Sequence, residues 1–489
     1  MRSPLLLGAA LTLFAECWLF RGVTAQNFTD EQLVVVQNQL AAGASHSWEY
    51  GTRAEALLEL TAPSYSVFYP SPLPPPQTIP PSVNLTAVLD IARTTVANRS
   101  ASNGNITGPQ PLIADAAAGD PCSIGVAVLL ANWTGQGASD GLDYAGAARD
   151  QLEFIMSRVP QTSDGAISHR VAELQLWSDS VYMVPPFLAY YGVVTGNQTL
   201  LLEAYTQISL YRNYLRDKKS NLWKHVLFGS GQDLGHWATG NGWAAAGMLR
   251  VLATMQRSQW SNEMYNLQSD LAAWIGEIHG GMYSYLNTNG LFYNWVDQPD
   301  SFYDASSAAL LASTVYRLSQ LWNVHTHIPI AEQVRRALAA NSSDTVDVKT
   351  YPPWPATPTA SPSSGATSSP TSTSSATFTS SPSSSSETPS STPASTSASP
   401  SSTPATNPMQ NLLHFTSDGW LTPVVNPDSW GVEGAQSPEG QAFVLDLQAA
   451  WSDWVQAGAP GANSARVGAA ASRVVMAVAG VVLGFGLLY

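Results

Sequence analysis

A run of serine, threonine and proline over roughly residues 352–407 interrupts the chain and constrains everything around it. Such a tract has few apolar side chains, cannot offset the entropy of ordering its own backbone, and is expected to stay disordered and extended under O-glycans. After it comes a short segment, His414 to Trp454, with one amphipathic helical pattern and several aromatics of the buried kind. A piece of about 50 residues without a disulfide is poorly placed to fold alone. It therefore reads as the closing helical hairpin, 408–456, of a domain whose main part is 26–351. The tract at 352–407 then loops out between neighbouring helices.

The two ends read as processing signals. Residues 1–25 carry Arg2, the apolar run Leu5 to Leu13 and a small-residue cleavage site at Val23-Thr24-Ala25, the layout of a secretory signal peptide. Residues 457–489 run from small residues at Gly461-Ala462-Asn463-Ser464-Ala465 through a spacer to an apolar tail, Val474 to Tyr489. That is the order of a GPI-attachment signal, with Asn463 or Ser464 as the attachment residue. A transmembrane helix is the alternative, but the tail is short for a span and has no basic flank beyond it. Asn27, Asn84, Asn98, Asn105, Asn132, Asn197 and Asn341 all stand in Asn-x-Ser/Thr sequons. Of the two cysteines, Cys17 leaves with the signal, so the mature chain has no internal disulfide and Cys122 reads as a small buried hydrophobe. The expectation is a secreted, monomeric glycoprotein at the cell surface or wall, tied to the membrane through a lipid anchor only. The net charge of −14, with no basic stripe, excludes a nucleic-acid partner.

What remains is helical. Apolar residues recur three and four apart over 30–43, 84–98, 122–132, 143–158, 180–194, 198–216, 242–256, 261–278, 304–322, 329–340 and 438–456, and strand-like alternation is scarce. So many helices in one all-α domain predict an (α/α) toroid, an inner ring wrapped by an outer one. No fixed-period repeat supports a solenoid.

Metal and nucleophile motifs are absent, and nothing calls for a metal or a cofactor. Three stretches stand out. In Trp177-Ser178-Asp179-Ser180-Val181-Tyr182-Met183-Val184-Pro185-Pro186-Phe187-Leu188-Ala189, one carboxylate sits in an apolar, aromatic run. Burial there raises its pKa, as a general acid requires; the competing reading is a helix N-cap. In His236-Trp237-Ala238-Thr239-Gly240-Asn241-Gly242-Trp243, the glycines let the backbone turn and approach a ligand, and the tryptophans offer faces for sugar rings. Asn241 otherwise caps the following helix. In Leu222-Trp223-Lys224-His225, His225 is either a proton-handling group or a structural histidine.

Taken in order, these stretches resemble glycoside hydrolase family 105, the unsaturated rhamnogalacturonyl hydrolases, related to the unsaturated glucuronyl hydrolases. Asp164-Gly165, His169-Arg170, Asp304-Ala305-Ser306, Asp418-Gly419-Trp420 and Ser437-Pro438-x-Gly440-Gln441-Ala442-Phe443 extend the likeness to nearly all of the folded chain. With the GPI-type tail, the likeness is to a fungal-type member. The resemblance implies an (α/α)6 barrel, a six-hairpin toroid, acting on an oligosaccharide whose terminal uronic acid carries a C4=C5 double bond. It implies Asp179 as the catalytic acid, which protonates the vinyl ether so that water adds at C5. It further implies that His225, Trp237, Asn241 and Trp243 bind the ring and that Asp120, His169 and Arg170 line the pocket. Many members have an arginine at the position of Thr239, where it can pair with the substrate carboxylate. Here that role is open to Arg170 or another basic group. Two other readings stand beside this one. An ordinary glycosidase would need a second carboxylate facing Asp179, and a non-catalytic glycan-binding protein would show a collapsed pocket.

Overall fold

The structure is a computed structural model that describes residues 27–104, 106–350 and 407–462. The signal peptide, the Ser/Thr/Pro tract, Asn105 and the GPI attachment residues expected from the sequence lie outside those residues. No helix among the described residues is long and apolar enough to cross a membrane.

Among the described residues, thirteen α-helices carry the fold: α1 (Asp30–Gly43), α2 (Ser47–Thr61), α3 (Thr86–Asn103), α4 (Gly125–Trp133), the single turn α5 (Gly137–Asp140), α6 (Tyr144–Ser157), α7 (Ser180–Thr195), α8 (Gln198–Leu215), α9 (Ala238–Arg257), α10 (Tyr265–Tyr283), α11 (Ala305–Trp322), α12 (Ile328–Leu338) and α13 (Pro438–Gln456). A 3₁₀ turn, Asp120–Ile124, leads into α4. Helices α2, α4, α7, α9, α11 and α13 pack side by side in that order, and α13 returns to α2, closing a ring. The first five pack against the outer helix that follows them in the chain, α3, α6, α8, α10 and α12 respectively, and α13 packs against α1, so six inner–outer pairs complete the double ring. This is the (α/α)6 barrel.

Burial separates the two rings. The inner α7 is apolar all round and carries Pro185 and Pro186 in its interior. Pro185 has no N–H for the carbonyl of Val181. Gly247 of α9 lies so close to that carbonyl that a Cβ would come within 2.1 Å of it, so α7 and α9 pack backbone to backbone. Outer helices keep one wet face and are closed by local chemistry. Thr29 and Gln32 form a capping box on α1, and the Asn197 side chain caps α8.

The structure corrects the sequence expectations in four places. Residues 408–456 contribute one helix and a strand pair rather than a helical hairpin. The sixth inner–outer pair is α13 with α1, from opposite ends of the described chain, and Arg335 of α12 also reaches α13, 4.3 Å over the Trp451 ring. Helix α2 was not expected, because it is buried on nearly every side and holds Gly51, whose Cβ would strike Ser123 Oγ at 1.9 Å. Helix α9 starts four residues before the expected 242, so Gly240, Asn241 and Gly242 are helical and not a turn. Three short antiparallel pairs also form: β1 (Leu176–Trp177) with β2 (Val226–Leu227), β3 (Phe292–Tyr293) with β4 (Tyr303–Asp304), and β5 (Val424–Asn426) with β6 (Ser429–Gly434).

Cys122 is fully buried, and its thiol is pushed upward by burial. The six described sequon asparagines are all exposed.

Candidate active site

The ring directs the start of every inner helix to one end of the barrel. A cavity of about 280 Å³ opens there. Its wall takes His46 and Trp48 from the start of α2, Asp120 from the turn before α4, Asp179 and Met183 from α7, Trp237 and Trp243 from α9, and Glu439 from α13. The loop before β1 adds His169 and Arg170, β1 adds Trp177, the strand after it His225, and the β5–β6 hairpin Pro427, Asp428 and Trp430. The starts of five inner helices, α2, α4, α7, α9 and α13, border the cavity, which favours an anionic ligand there.

Asp179 occupies the N-cap position of α7, yet its side chain makes no capping bond. It is 9% exposed, and its Oδ1 has no hydrogen-bond partner. Burial raises its pKa, opposed by His225 and Arg170. Gly240 lets α9 come this close: a Cβ there would meet Ser178 Oγ at 2.3 Å. Asp120 is pushed well above the carboxylate range by burial, then by Asp179 and Asp115. His169 is driven well below its ordinary value by burial and by Arg170 and His225, so it is neutral. Its Nε2 lies 3.6 Å from Asp120 Oδ1, its Nδ1 is unpartnered, and its ring stacks on Trp177 at 4.6 Å.

His225 is held from behind. Its Nδ1 is 3.1 Å from Asp233 Oδ2, which engages that nitrogen, and its Nε2 is buried without a hydrogen-bond partner. Asp233 also accepts from Trp430 Nε1 at 3.2 Å, which ties the β5–β6 hairpin to the histidine. Trp237 donates Nε1–H to Asn294 Oδ1 at 3.0 Å, and Asn294 donates to the Trp430 carbonyl at 2.8 Å. The indoles of Trp177 and Trp430 meet edge to face at 5.2 Å.

Of the residues expected from sequence, Asp120, His169, Arg170, Asp179, His225, Trp237 and Trp243 come together. Thr239 and Asn241 do not line the cavity. Thr239 is buried with its hydroxyl on Asp304 Oδ2 at 2.6 Å. Asn241 bonds the Trp223 N–H at 2.7 Å and the carbonyls of Trp223 and Trp237, which staples α9 to the strand bearing His225. Among the residues lining the cavity, Arg170 is the only arginine or lysine, and its guanidinium lies 4.9 Å over the Trp177 ring. Asp120, His169 and Asp179 each offer one atom, all within 4.8 Å of one another, and form the set that could hold a cation. His46, Trp48, Asp428, Trp430 and Glu439 were not singled out from sequence. The dipeptide Ser429-Trp430 beside Asp428 offers no periodicity to mark it.

Solved structures share the architecture. A possible member of glycoside hydrolase family 105 from Salmonella enterica aligns with a TM-score of 0.55 at 14% identity, over 92% of this chain and 99% of its own. The glycosyl hydrolase family 88 protein of Bacteroides vulgatus aligns at 0.52 and 13%, over 87% and 99%. In sequence, the unsaturated rhamnogalacturonyl hydrolase YesR of Bacillus subtilis is 24% identical over 199 residues, which span 38% of this chain and 56% of that enzyme. The sequence model of Glycosyl Hydrolase Family 88 matches residues 85–350, more than half of the chain, and on that extent the chain belongs to this family.

Proposed function

We propose that the chain removes a 4,5-unsaturated uronic acid from the end of pectin or rhamnogalacturonan oligosaccharides by hydrating the vinyl ether. The observation that carries this reading is the Asp179 carboxyl. It is buried, lines the cavity, stands at a helix N-cap without capping it, and has an oxygen without a hydrogen-bond partner. A protonated acid of that kind delivers its proton to C4, leaving an oxocarbenium ion at C5 and the ring oxygen. Water adds at C5 and returns a proton to the Asp179 carboxylate. The C5 hemiketal then opens, C1 is freed as an aldehyde, and the remaining sugar chain leaves as an alcohol. Only one proton-transferring carboxyl is required, unlike displacement at the anomeric carbon by two.

The other side chains support the same chemistry. His225 Nε2 is free to bond the ring or the incoming water, since Asp233 engages the opposite nitrogen. Trp237 and Trp243 supply faces, and Arg170 stands as the cation for the substrate carboxylate in place of the arginine that Thr239 replaces. Asp120 bears on the ordinary-glycosidase reading because it is close to Asp179. The two precede neighbouring inner helices, α4 and α7, and stand side by side rather than across the cavity.

The test is loss of the ultraviolet absorbance of the conjugated uronate, with lyase-generated rhamnogalacturonan and glucuronyl oligosaccharides, wild type against Asp179→Asn. Loss with the wild type alone, unchanged by EDTA, supports the reading. Loss on chelation would hand Asp120, His169 and Asp179 to a cation. Release of sugar from saturated glycosides in place of unsaturated ones would favour the ordinary glycosidase. The exposed sequons support a secreted glycoprotein, with the lipid anchor and the monomeric state as part of the same proposal. Failure of a phosphatidylinositol-specific phospholipase to release the chain from cells would remove the anchor.

A further inference from the structure

Part of the cavity wall comes from outside the family-matched residues 85–350, and its most buried carboxyl is Glu439. The residue is 5% exposed, and its Oε2 makes no hydrogen bond. It stands one turn before Phe443 on α13, and the Phe443 ring meets Trp243 edge to face at 4.7 Å. Residues four apart share a helix face, so Glu439 belongs to the side of α13 that looks toward Trp243. Both line the cavity.

We propose that Glu439 is a substrate-binding residue, a carboxyl whose O–H and carbonyl oxygen together hold a hydroxyl of the terminal ring. The proposal rests on the reading of this cavity as a sugar site. An acid in the first turn of a helix is ordinarily kept ionised by the helix dipole. Here burial, then the charge of Glu49 on α2, lift its pKa to about 8, against the α13 backbone and the Ser437 hydroxyl, with Asp304 adding in the upward direction. Glu49 is itself fixed, accepting from the backbone N–H groups of Ser45 and His46 at 2.6 and 2.8 Å. The His46 ring, 3.2 Å from Glu49, is a cationisable group at the start of α2, and Arg53 lies further along it.

The neutral form suits the ligand in two ways. Asp115, Asp120, Asp179 and Asp428 already line a cavity that has Arg170 as its only arginine or lysine. An ionised Glu439 would repel a uronate, whereas a protonated one admits it. A neutral carboxyl also donates and accepts at one place, as a sugar hydroxyl does.

The experiment measures binding of a lyase-generated unsaturated digalacturonide to the full chain in an Asp179→Asn background, through the fluorescence of the cavity tryptophans. At pH 6.5, Glu439→Ala weakens binding roughly three- to tenfold, the worth of one neutral hydrogen bond, while Glu439→Gln stays within about twofold. Above pH 8 the parent loses affinity by about tenfold per unit as Glu439 ionises, and Glu439→Gln does not. Equal affinity in the alanine variant, or an alkaline loss that persists in the glutamine variant, overturns the proposal. The glutamine variant keeps the shape of the side chain, so a folding defect in the alanine variant does not decide the matter. Absence of binding in the parent overturns both this proposal and the hydration reading. Binding without turnover by the chain that retains Asp179 overturns the hydration reading alone.

Discussion

The six inner helices carry two sets of buried carboxyls, and the two sets are treated differently. Deep in the ring, Arg250 of α9 meets Glu55 and Glu59 of α2 at 2.7 and 2.6 Å, and Arg317 of α11 meets Glu59 at 2.8 Å and reaches the partly exposed Asp453 at 2.5 Å. At the helix N-termini, Asp179 and Glu439 each leave an oxygen without a partner. Asp446 is the exception in the deep set. It stays 4.0 Å from Arg250 with Oδ1 unbonded, and burial and Glu59 push it well above the carboxylate range. A buried polar atom without a partner costs about 1–3 kcal/mol, so leaving several at one end and pairing most at the other marks where a ligand is meant to complete the structure.

The largest effect should separate the two ends most clearly. Asp179→Asn keeps the volume and removes the transferable proton. A positioned acid contributes about 10²–10⁴ in rate, so turnover falls by at least that much. Stability moves the other way. The folded-state pKa of Asp179 lies above its unfolded value. Wild type therefore holds its full stability below the unfolded pKa and loses some as pH rises through the folded one. The asparagine variant escapes that loss, so its melting temperature relative to wild type should climb from pH 4 to pH 7. A variant that melts well below wild type at pH 7 would put Asp179 among the structural carboxyls.

At the other end, Arg250→Met leaves Glu55, Glu59 and Asp446 facing one another without their shared cation. Breaking a buried pair from one side costs about 3–5 kcal/mol, read as a lowered denaturant midpoint. Activity per folded molecule should persist, because the cluster lies below the cavity floor and shares no hydrogen bond with it among the described residues. Loss of activity at full stability would show that the two ends are coupled.

The same contrast explains what the sequence could disclose. Outer helices have a wet face, so α6 and α8 were legible within about two residues, the usual uncertainty of a boundary. Among the inner helices, α7, α11 and α13 were legible to within one residue as long apolar runs, and α2 was not legible at all. Helix α2 carries a glycine demanded by its contact with Ser123, and nothing periodic marks it. The Gly240-Asn241-Gly242 stretch looks like a turn because the reason for its glycines, contact with Ser178 and Leu310, is tertiary. Asp179 and His225 were legible as polar groups set among aromatics. Trp48, Trp430 and Glu439 reach the cavity through ring closure by segments far apart in the chain, which no local pattern encodes.

Asn241 supports the cavity without lining it, and its loss should have an intermediate effect. Its side chain satisfies both backbone groups of Trp223. Asn241→Ala leaves them buried and unpaired, at about 1–3 kcal/mol. Because Trp223 leads directly to His225, kcat should fall with stability even though Asn241 touches no ligand. Asn241→Asp restores only the acceptor half and should recover part of each.

The smallest effect is expected where charge meets water. His46 Nε2 and Asp428 Oδ1 lie 3.4 Å apart at the cavity rim, their side chains 39% and 68% exposed. An ion pair this exposed contributes about 0–1 kcal/mol, since solvent screens it and two side chains lose freedom to form it. Asp428→Asn should leave the melting temperature almost unmoved and change KM by less than about twofold, an effect that fades in high salt. It also removes one negative charge from the approach of an anionic substrate, so any change in KM should be a decrease. An increase of tenfold would mean that Asp428 holds the sugar itself, and that orphaned oxygens are not the only mark of this binding site.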